Sequence, residues 1–363
     1  MKQELSALDL HYLIGELQFL INSKIDKIYQ LNRKNFFFRF FVSGKGNQTF
    51  KIQIPKLIYL TKKTKNMPER PMGFCTFLRK YLANARIKEI RQHGFDRVIE
   101  ILFTKAEFVN EKRQIHEYIL VLEMFNPGNM ILCKEDYTIL SPLEGKDWSN
   151  RSIRKGLKYE FPPEMEDVYH LDYEGFKELV QGSDKENIVK TLAMDLGLGG
   201  VYAEEVCWDV VDKGATKLNE GDIKKLFESF TGLINRAPQP VVYGKKKGFP
   251  FLLNSFSDEY EEFSTFGDVI DSMITERVVV KENKFEKIIE KQTENLGKIE
   301  IQIKENTDCG NVIYNKYMEV KEILDNIQKL HDEEGWDAVK EKYKDHKIVK
   351  KIDSSTGDLV FEL

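Results

Sequence analysis

The spacing of apolar residues predicts that the chain begins with a helix. Apolar side chains roughly 3.6 residues apart mark an amphipathic helix, and across residues 4–21 they are Leu5, Leu8, Leu13, Leu17 and Leu20. Asp9 interrupts this apolar face. Because burial of an unpaired carboxylate is costly, Asp9 is expected to cap the helix or to pair with a basic residue.

Short runs rich in β-branched and aromatic residues follow the helix and predict an antiparallel sheet. Turn residues separate these runs, which cover 24–32, 35–43, 48–55, 86–92, 96–103, 116–125 and 129–140. A basic loop and a helix predicted at 72–84 lie between the third and fourth runs. The first part of the chain is therefore predicted to be one mixed domain of an α+β fold.

The pattern changes again after the predicted sheet. Residues 141–170 are rich in Pro, Gly and charge and lack sustained periodicity, which predicts a connector. Short amphipathic segments then surround the sequence LGLGGVYAEEV, and 238–253 is predicted to be a hairpin closed by Gly-Lys-Lys-Lys-Gly. These changes place the domains at 1–170, 171–275 and 276–363.

The last domain contains the alternating three- and four-residue spacing of a coiled coil. The predicted seam consists of Phe285, Ile289, Gln292, Leu296, Ile299 and Ile303, and it resumes at Ile313, Tyr317, Val320, Leu324 and Ile327. One helix of about 43 residues would extend roughly 60 Å, with Gly310 as its weakest point. The residues that follow offer one short helix and two strand-like pieces, so the seam lacks a returning partner. We expect either a dimer or, as the favoured alternative, a chain shortened after Leu363.

Charge is distributed unevenly along the 363 residues, although the net charge is only −4. Residues 1–97 contain 19 Lys and Arg against 7 Asp and Glu, so this part carries +12 and the remainder −16. Such a basic region favours an anionic partner, most commonly a polyphosphate backbone. A solvated basic face without a ligand is the alternative that charge alone leaves open.

Several classes of protein and site find no support in the sequence. Glu4 and Asp9 interrupt the start of the chain, so it lacks the pattern of a signal peptide, and no apolar run reaches membrane-spanning length. The four cysteines form no CxxC pair, which argues against a zinc site or a disulfide framework and for a reducing cytoplasm. The six histidines show no metal-binding spacing, and no catalytic motif is present. We expect a cytoplasmic protein that is not an enzyme and needs no metal or cofactor.

The residues best suited to contact a polyphosphate lie in the basic part of the chain. The helix predicted at 72–84 carries Arg79 and Lys80, and Arg86 follows it. Asp96 and Arg97 stand at a turn, where a guanidinium can grip a phosphate or stack on a base and a carboxylate can accept from a base edge. On the residues alone, a structural ion pair between Asp96 and Arg97 is the simpler interpretation.

A second candidate lies between two helical patterns, at Gly197, Gly199 and Gly200. These glycines would free backbone N–H groups at the start of the following helix to face a phosphate, as in a helix-hairpin-helix module. A glycine-rich turn that merely ends a helix is the alternative.

Five segments carry a likeness to a known family: SALDLHYLIGELQFLINSKIDKIYQ, GFCTFLRKYLANARI, HGFDR, LEMFNPGNMIL and LGLGGVYAEEV. Taken in chain order, these segments resemble the NFACT family of ribosome quality-control factors, formerly labelled fibronectin-binding protein A. The resemblance covers nearly the whole chain, including the coiled coil and its tryptophan-containing end. The form of the fourth segment, LEMFNPGNMIL, is closer to archaeal and eukaryotic members than to bacterial ones.

The resemblance implies both a fold and a function. The N-terminal domain is expected to fold like the formamidopyrimidine-DNA glycosylases, followed by a helix-hairpin-helix domain and a long coiled-coil arm. Family members bind the large ribosomal subunit obstructed by peptidyl-tRNA and recruit tRNA, typically alanine tRNA, to extend the nascent chain without mRNA. Other quality-control factors are expected to contact the arm. The family's returning coiled-coil helix and C-terminal RNA-binding domain would be missing after Leu363.

The resemblance also assigns roles to individual residues. The family's acidic residue in the first helix corresponds to Asp9, and its Asp-Arg pair to Asp96 and Arg97. Glu123 matches a further position expected to touch tRNA, and the three glycines of the LGLGG segment are expected to contact rRNA or phosphate. The expected tRNA-binding set is Asp9, Asp96, Arg97, Glu123, Arg79, Lys80 and Arg86.

Three other functions are alternatives to this one. A DNA-repair glycosylase on the same fold would need an N-terminal proline nucleophile followed by glutamate, where this chain has Met1, Lys2 and Gln3. A fibronectin-binding surface adhesin lacks support from a signal peptide or anchor. A purely structural coiled-coil dimer would have the same mass with and without RNA.

Overall fold

The computed structural model divides the chain into two compact units, Met1–Arg277 and Val278–Leu363. It describes residues 4–63, 67, 68, 70–109, 112–148, 151–163, 167–244 and 246–362, and leaves aside the side chains of 108, 109, 275–287, 290 and 313. Some predicted features therefore lie outside the described residues: Met1 to Gln3, part of the basic loop at 64–66 and 69, Lys245 of the hairpin, and the seam side chains of Phe285 and Ile313.

The first unit contains a nine-stranded antiparallel sheet with strand order β4-β3-β2-β1-β5-β6-β7-β8-β9. The strands are β1 (Lys24–Asn32), β2 (Asn35–Val42), β3 (Gly46–Gln53), β4 (Leu57–Leu60), β5 (Arg86–Gln92), β6 (Val98–Val109), β7 (Lys112–Glu123), β8 (Asn129–Lys134) and β9 (Ile139–Pro142). The seven predicted runs are confirmed as strands, the last of them split into β8 and β9. Strand β4 was not predicted.

Both faces of the sheet are covered near β7 and β8. On β7, Leu120 and Leu122 pack into the main core, whereas Ile119 and Val121 pack into a second, smaller core on the other face. This separation follows from the two-residue side-chain period of a strand. It also explains why this part of the chain is almost continuously apolar.

Helix α1 (Ala7–Leu17) lies between two cores. Leu10, Leu13 and Leu17 belong to the core under the sheet. Ala7 and Leu8 belong to a separate core built largely by the later helices. The helix predicted from the leucine spacing is thus confirmed, and it joins the two halves of the first unit.

Helix α2 (Gly73–Leu82) confirms the helix predicted at 72–84 and packs against β1. Strands β1 and β5 are registered at a single pair, Lys24 with Arg86. Where the two strands diverge, α2 supplies partners for β1. Arg79 Nε and Nη2 donate to the carbonyl oxygen of Ile28 at 2.7 and 2.5 Å, which satisfies a buried acceptor of the kind a neighbouring strand normally pairs.

The second core of the first unit is mainly helical. It contains α3 (Tyr173–Gly182), α4 (Ile188–Met194), α5 (Gly200–Cys207), α6 (Glu220–Ile234) and residues of a three-stranded sheet, β12 (Val241–Tyr243), β13 (Lys247–Phe249) and β14 (Tyr260–Glu262). The predicted hairpin is confirmed by the pairing of β12 with β13. Because these elements pack onto α1 within one compact unit, the domain boundary at residue 170 stays a prediction.

Residues 141–170 are more than the predicted connector, and that prediction was wrong in part. They contain a short hairpin of β10 (Lys146–Asp147) and β11 (Ser152–Ile153). Ile153 and Tyr159 are buried in the small core behind the sheet. The segment lacks periodicity because single side chains, rather than a regular face, supply its contacts.

Helix α7 (Phe266–Asn315) begins in the first unit and ends in the second, and α8 (Tyr317–Tyr343) belongs to the second unit. The prediction of one helix of about 43 residues, weakest at Gly310, was wrong, since the helical backbone is interrupted at Lys316 (φ −103°, ψ 19°). Of the predicted seam residues on α7, Ile289 and Leu296 are 61% and 60% exposed. Their pairing in a coiled coil stays a prediction.

A small core ends the second unit. The predicted short helix is the part of α8 after Gly335, and the two strand-like pieces are β15 (Val349–Ile352) and β16 (Leu359–Phe361), which pair with each other. Val339, Tyr343 and Val349 are buried between them. The predicted content of this end of the chain is confirmed.

Candidate nucleic-acid interface

The start of α1 is fixed by Asp9 and Ser6. Ser6 is the N-cap, and its hydroxyl oxygen accepts from the Asp9 backbone N–H at 3.2 Å. Asp9 Oδ2 in turn accepts from the Ser6 N–H at 2.8 Å and from its hydroxyl at 2.9 Å. This capping box satisfies N–H groups that a helix start leaves without partners, and it confirms the prediction that Asp9 caps the helix.

Asp9 also holds a residue from a distant part of the chain. The hydroxyl of Tyr202, on α5, donates to Asp9 Oδ1 at 2.6 Å. Asp9 is fully buried and Tyr202 is 2% exposed. Burial raises the pKa of Tyr202, and the Asp9 carboxylate raises it further, so the hydroxyl keeps its proton and remains a donor. Asp9 thus fastens α5 to α1.

The turn that carries Asp96 and Arg97 is tied to the same end of α1. Gln92 Nε2 donates to the carbonyl oxygens of Asp96 at 2.8 Å and of Ala7 at 3.0 Å. Asp96 Oδ1 accepts from the backbone N–H of Arg97 at 2.6 Å. One glutamine therefore bridges the turn and the first residue of the helix.

Arg97 is half-exposed and faces an acidic residue. Its Nη1 lies 3.9 Å from Glu4 Oε2, and the two side chains are 37% and 47% exposed. The described contacts of the guanidinium are thus with Glu4 rather than with the Asp96 carboxylate, so the alternative of an ion pair inside the Asp-Arg dipeptide was wrong. Such an exposed pair contributes little stability and exchanges readily for another anion.

Glu123 lies behind this turn and is buried. Strand β7 places it opposite Val98 on β6, and the N–H of the following residue, Met124, donates to the Arg97 carbonyl oxygen at 2.7 Å. Glu123 Oε1 accepts from Arg151 Nη1 at 2.8 Å and from the Tyr159 hydroxyl at 3.0 Å.

The Glu123 side chain is 2% and the Arg151 side chain 8% exposed. Burial raises the pKa of Glu123, while Arg151 and the Tyr159 hydroxyl lower it. The Glu123 carboxylate is therefore bound by two side chains of the protein, Arg151 and Tyr159. It supports the strand end beside Arg97.

A cavity of about 670 Å³ opens beside the α1 cap. Asp9, Gly199 and Gly200 all line it, as does Glu4, the partner of Arg97. At Gly199 the backbone has φ 76°, a conformation that favours glycine. A Cβ at this position would lie 3.8 Å from the Cβ of Ser6. The structure thus brings together predicted residues from the two ends of the first unit.

The lining of this cavity is mixed in charge and rich in aromatic rings. Lys213 and Lys247 lie at its wall with Phe249 and Phe256. The Lys247 ammonium lies 4.3 Å from the centre of the Phe256 ring. Four acidic residues also line the cavity, Glu4, Asp9, Glu204 and Asp258, and Lys213 Nζ lies 3.0 Å from Glu204 Oε2.

The remaining predicted residues lie elsewhere. Gly197 has φ 66° in the turn between α4 and α5. Arg79 is half-buried against Ile28, as described above, so its guanidinium is largely used inside the fold. Lys80 and Arg86 are exposed at α2 and β5. They do not line the cavity beside Asp9.

Three residues that hold the site together were not predicted. Tyr202 lies within the segment LGLGGVYAEEV, and Gln92 stands directly before HGFDR. Both segments were identified as functional candidates, but the sequence did not indicate the roles of these two residues. Arg151 lies in the predicted connector, where no pattern indicated a buried cation.

Comparison with known proteins decides the family. The family model for NFACT N-terminal and middle domains matches residues 6–356. The chain belongs to the NFACT family. A curated relative, the archaeal Rqc2 homolog aRqcH of Methanocaldococcus jannaschii, is 30% identical over 400 aligned residues, which cover 100% of this chain and 58% of the relative.

Eukaryotic NFACT proteins match a shorter part of the chain. The ribosome quality control complex subunit 2 of Schizosaccharomyces pombe is 35% identical over 147 residues, which cover 39% of this chain and 14% of that protein. The chain thus spans 58% of its archaeal relative and much less of this eukaryotic one. The predicted family is confirmed, together with its likeness to archaeal members.

Solved structures share the fold of about three quarters of the chain. The N-terminal part of the fibronectin/fibrinogen-binding protein from Streptococcus suis superposes with a TM-score of 0.63 at 23% identity, covering 75% of this chain and all of that one. The fibrinogen-binding protein from Staphylococcus aureus gives 0.62 at 21% identity, covering 73% and 97%. At such identities the likeness shows the fold, a mixed one with a large antiparallel sheet. Across the part of the chain that the structure describes, no helix is long and apolar enough to cross a membrane.

Proposed function

We propose that the chain acts in the cytoplasm as a ribosome quality-control factor that is not an enzyme. It binds the large ribosomal subunit obstructed by peptidyl-tRNA and recruits tRNA, with alanine tRNA as the expected identity, so that the nascent chain is extended without mRNA. The observation that carries this proposal is the family match across residues 6–356, which includes relatives named as ribosome quality-control subunits.

Asp96 and Arg97 are proposed as the residues that touch tRNA. Both are partly exposed on a turn that Gln92 holds in place. Because the pair of Arg97 with Glu4 is long and solvent-accessible, a phosphate can replace the Glu4 carboxylate at little cost. An unstacked loop of tRNA offers both the phosphate and the base edges that these two side chains bind.

Asp9 and Glu123 are proposed as positioning residues rather than direct contacts. Asp9 is fully buried and Glu123 is 1% exposed, and the carboxylates of both accept hydrogen bonds from side chains of the protein. They act by fixing α1, α5 and the end of β7 around the Asp96 turn. Lys80 and Arg86 are proposed as outlying phosphate contacts, whereas Arg79 mainly supports β1.

The glycine-rich turn is proposed as a helix-hairpin-helix element formed by α4, the turn and α5. Helix α5 begins at Gly200 without a side-chain cap, so its first N–H groups are suited to a phosphate of rRNA or tRNA. Gly197 shapes the turn, and Gly199 and Gly200 line the cavity. The exposed seam of α7 is proposed as a coiled-coil arm that contacts other quality-control factors.

Binding of the chain to bulk tRNA and to duplex DNA, measured across a salt series, tests this proposal. The wild type should prefer tRNA, and an Asp96→Ala/Arg97→Ala double variant should lose that preference while both affinities still fall with salt. Lys225→Ala on α6 serves as a matched exposed cation that should leave the preference intact. Equal preference in the wild type and the double variant would remove the proposed tRNA site.

A further inference from the structure

An exposed phenylalanine lies in the interior of the nine-stranded sheet. Phe41 is 56% exposed, whereas Phe38 and Phe40 of the same strand are at most 1% exposed. Strand β2 is third from the sheet edge, between β3 and β1, so the exposure of Phe41 is not that of an edge strand. One exposed apolar side chain is ordinary on a protein surface. The side chains around Phe41 are what make its exposure relevant to binding.

The sheet register places basic residues beside the ring. Lys24 on β1 is directly opposite Phe41, and Arg86 on β5 is directly opposite Lys24. Directly opposed residues point to the same face, and adjacent strands lie about 4.8 Å apart. A ring, an ammonium and a guanidinium therefore lie in one row across three strands. Lys27 extends the row along β1, opposite Arg39.

The acidic residues near this row already have partners. Asp26 Oδ2 accepts from Arg39 Nε at 2.5 Å. Glu117 accepts from Lys88 Nζ at 2.7 and 2.9 Å. Two basic residues thus neutralise the neighbouring carboxylates, and the other cations of the face keep their charge.

Those other cations are Lys24, Lys27 and Arg86, all exposed. Within the described residues, none of the three lies in an ion pair with an acidic side chain. Arg86 Nη1 donates to the carbonyl oxygen of Asn22 at 2.8 Å. That bond orients the guanidinium without compensating its charge, which leaves its other N–H groups for a phosphate.

We propose that the outer-sheet patch, defined as Lys24, Lys27, Phe41 and Arg86, binds an unpaired segment of RNA. A base stacks on the Phe41 ring, and the three cations hold the phosphates on either side of it. The flat ring selects a single strand, because the bases of a duplex are already stacked on one another and offer no free face. The uncompensated positive charge selects a polyanion.

The patch is separate from the Asp96 turn. Ile87, which follows Arg86 on β5, points into the core with α1, so Arg86 faces away from that helix. The Asp96 turn adjoins the opposite end of β5, past Gln92. The inference rests on the proposed RNA-binding function and adds to it a second contact for unpaired RNA on the other face of the sheet.

The test uses the whole chain and a fluorescent ten-nucleotide oligouridine, with affinity measured by anisotropy across a salt series. Phe41→Ala should weaken binding about five- to hundredfold, whereas Phe41→Trp should retain it. Lys24→Ala should lower the slope of log affinity against log salt by about 0.7. The matched control is Tyr260→Ala, a strand aromatic 49% exposed beside Glu261. Tyr260→Ala should change neither the affinity nor the salt slope.

The outcomes separate this inference from the proposed function. If Phe41→Ala binds oligouridine like the wild type, or if the wild type does not bind it, the patch is not an RNA site. Displacement of the oligonucleotide by polyglutamate at equal charge would show a surface that selects charge alone and would also overturn it. In each case, loss of the tRNA preference in the Asp96→Ala/Arg97→Ala variant would leave the proposed function standing.

Discussion

Arg151→Ala removes one partner of a buried ion pair beside the Asp96 turn. Arg151 Nη1 and Glu123 Oε1 are 2.8 Å apart, with side chains 8% and 2% exposed. The variant leaves the Glu123 carboxylate buried with the hydrogen bond from Tyr159. Removing one member of a buried pair costs about 3–5 kcal/mol because the other charge loses its compensation. We expect a loss of this size in the free energy of unfolding at neutral pH.

The loss should depend on pH in a defined direction. Burial raises the pKa of Glu123 from 4.5, and Arg151 opposes the rise, so removal of Arg151 raises that pKa further. A carboxyl whose folded-state pKa exceeds its unfolded-state pKa takes up protons on folding. Its contribution to stability is therefore present at low pH and is lost as pH rises through the interval between the two pKa values. The deficit of Arg151→Ala should be largest at pH 7 and smallest below 4.5.

Urea unfolding followed by circular dichroism at pH 7 and near pH 4.5 measures both effects. Arg154→Ala is the matched control, since Arg154 pairs with Asp147 on the surface, where the side chains are 66% and 45% exposed. It should remain close to the wild type at both values of pH. Two results would refute the interpretation of Glu123 as a buried, compensated carboxylate. One is a loss of stability in Arg151→Ala no larger than that in Arg154→Ala, and the other is an equal loss in Arg151→Ala at both pH values.

Two further variants test the packing of the first unit by urea unfolding. Tyr202→Phe removes the donor 2.6 Å from Asp9 Oδ1 and should cost about 1.5–3 kcal/mol, as for a hydrogen bond to a charged group; unchanged stability would contradict the fastening of α5 to α1. At Gly128 the backbone has φ 71°, and the Cβ of an alanine would lie 2.4 Å from the Cβ of Pro55. At Gly44 φ is 76°, and no neighbouring atom lies within 4 Å of an added Cβ. Gly128→Ala is therefore compared with Gly44→Ala. Both should lose about 1–2 kcal/mol to backbone strain, and Gly128→Ala a further 1–3 kcal/mol to overpacking; equal losses would exclude the close contact.

Local periodicity was sufficient to predict most of the secondary structure. Strand β1 occupies the predicted residues 24–32, because alternation of side chains along a strand is a local property. Strand β4, Leu57–Leu60, was missed since four consecutive apolar residues show no alternation. Its assignment depends on pairing with β3, which lies outside the reach of a local pattern.

Interactions between distant segments explain where the site predictions fell short. A cap or a pairing with a basic residue was expected for Asp9, but its bond to Tyr202 joins residues 193 positions apart. Arg79 lies in the basic segment and was expected to hold phosphate. Because β1 diverges from β5, the Ile28 carbonyl oxygen lacks a strand partner and accepts from the Arg79 guanidinium instead. No short sequence pattern indicates where two strands separate.

In the helical arm, the local pattern predicted a more regular structure than the one observed. The heptad pattern extends without a change of phase, and it predicted one helix. The interruption at Lys316 precedes Ile323 and Ile327 of α8, which pack in the small distal core. Heptad spacing records which side chains share a face, but it carries no information about where the backbone leaves the helical conformation.

Recruitment of tRNA to obstructed large subunits tests the central claim most directly. Purified large subunits with and without peptidyl-tRNA would be sedimented with labelled alanine tRNA in the presence of the wild-type chain or the Asp96→Ala/Arg97→Ala variant. The wild type should bring tRNA to obstructed subunits, and the variant should do so much less. If tRNA sedimented equally with obstructed and empty subunits, or equally with and without the chain, the proposed role in quality control would be contradicted.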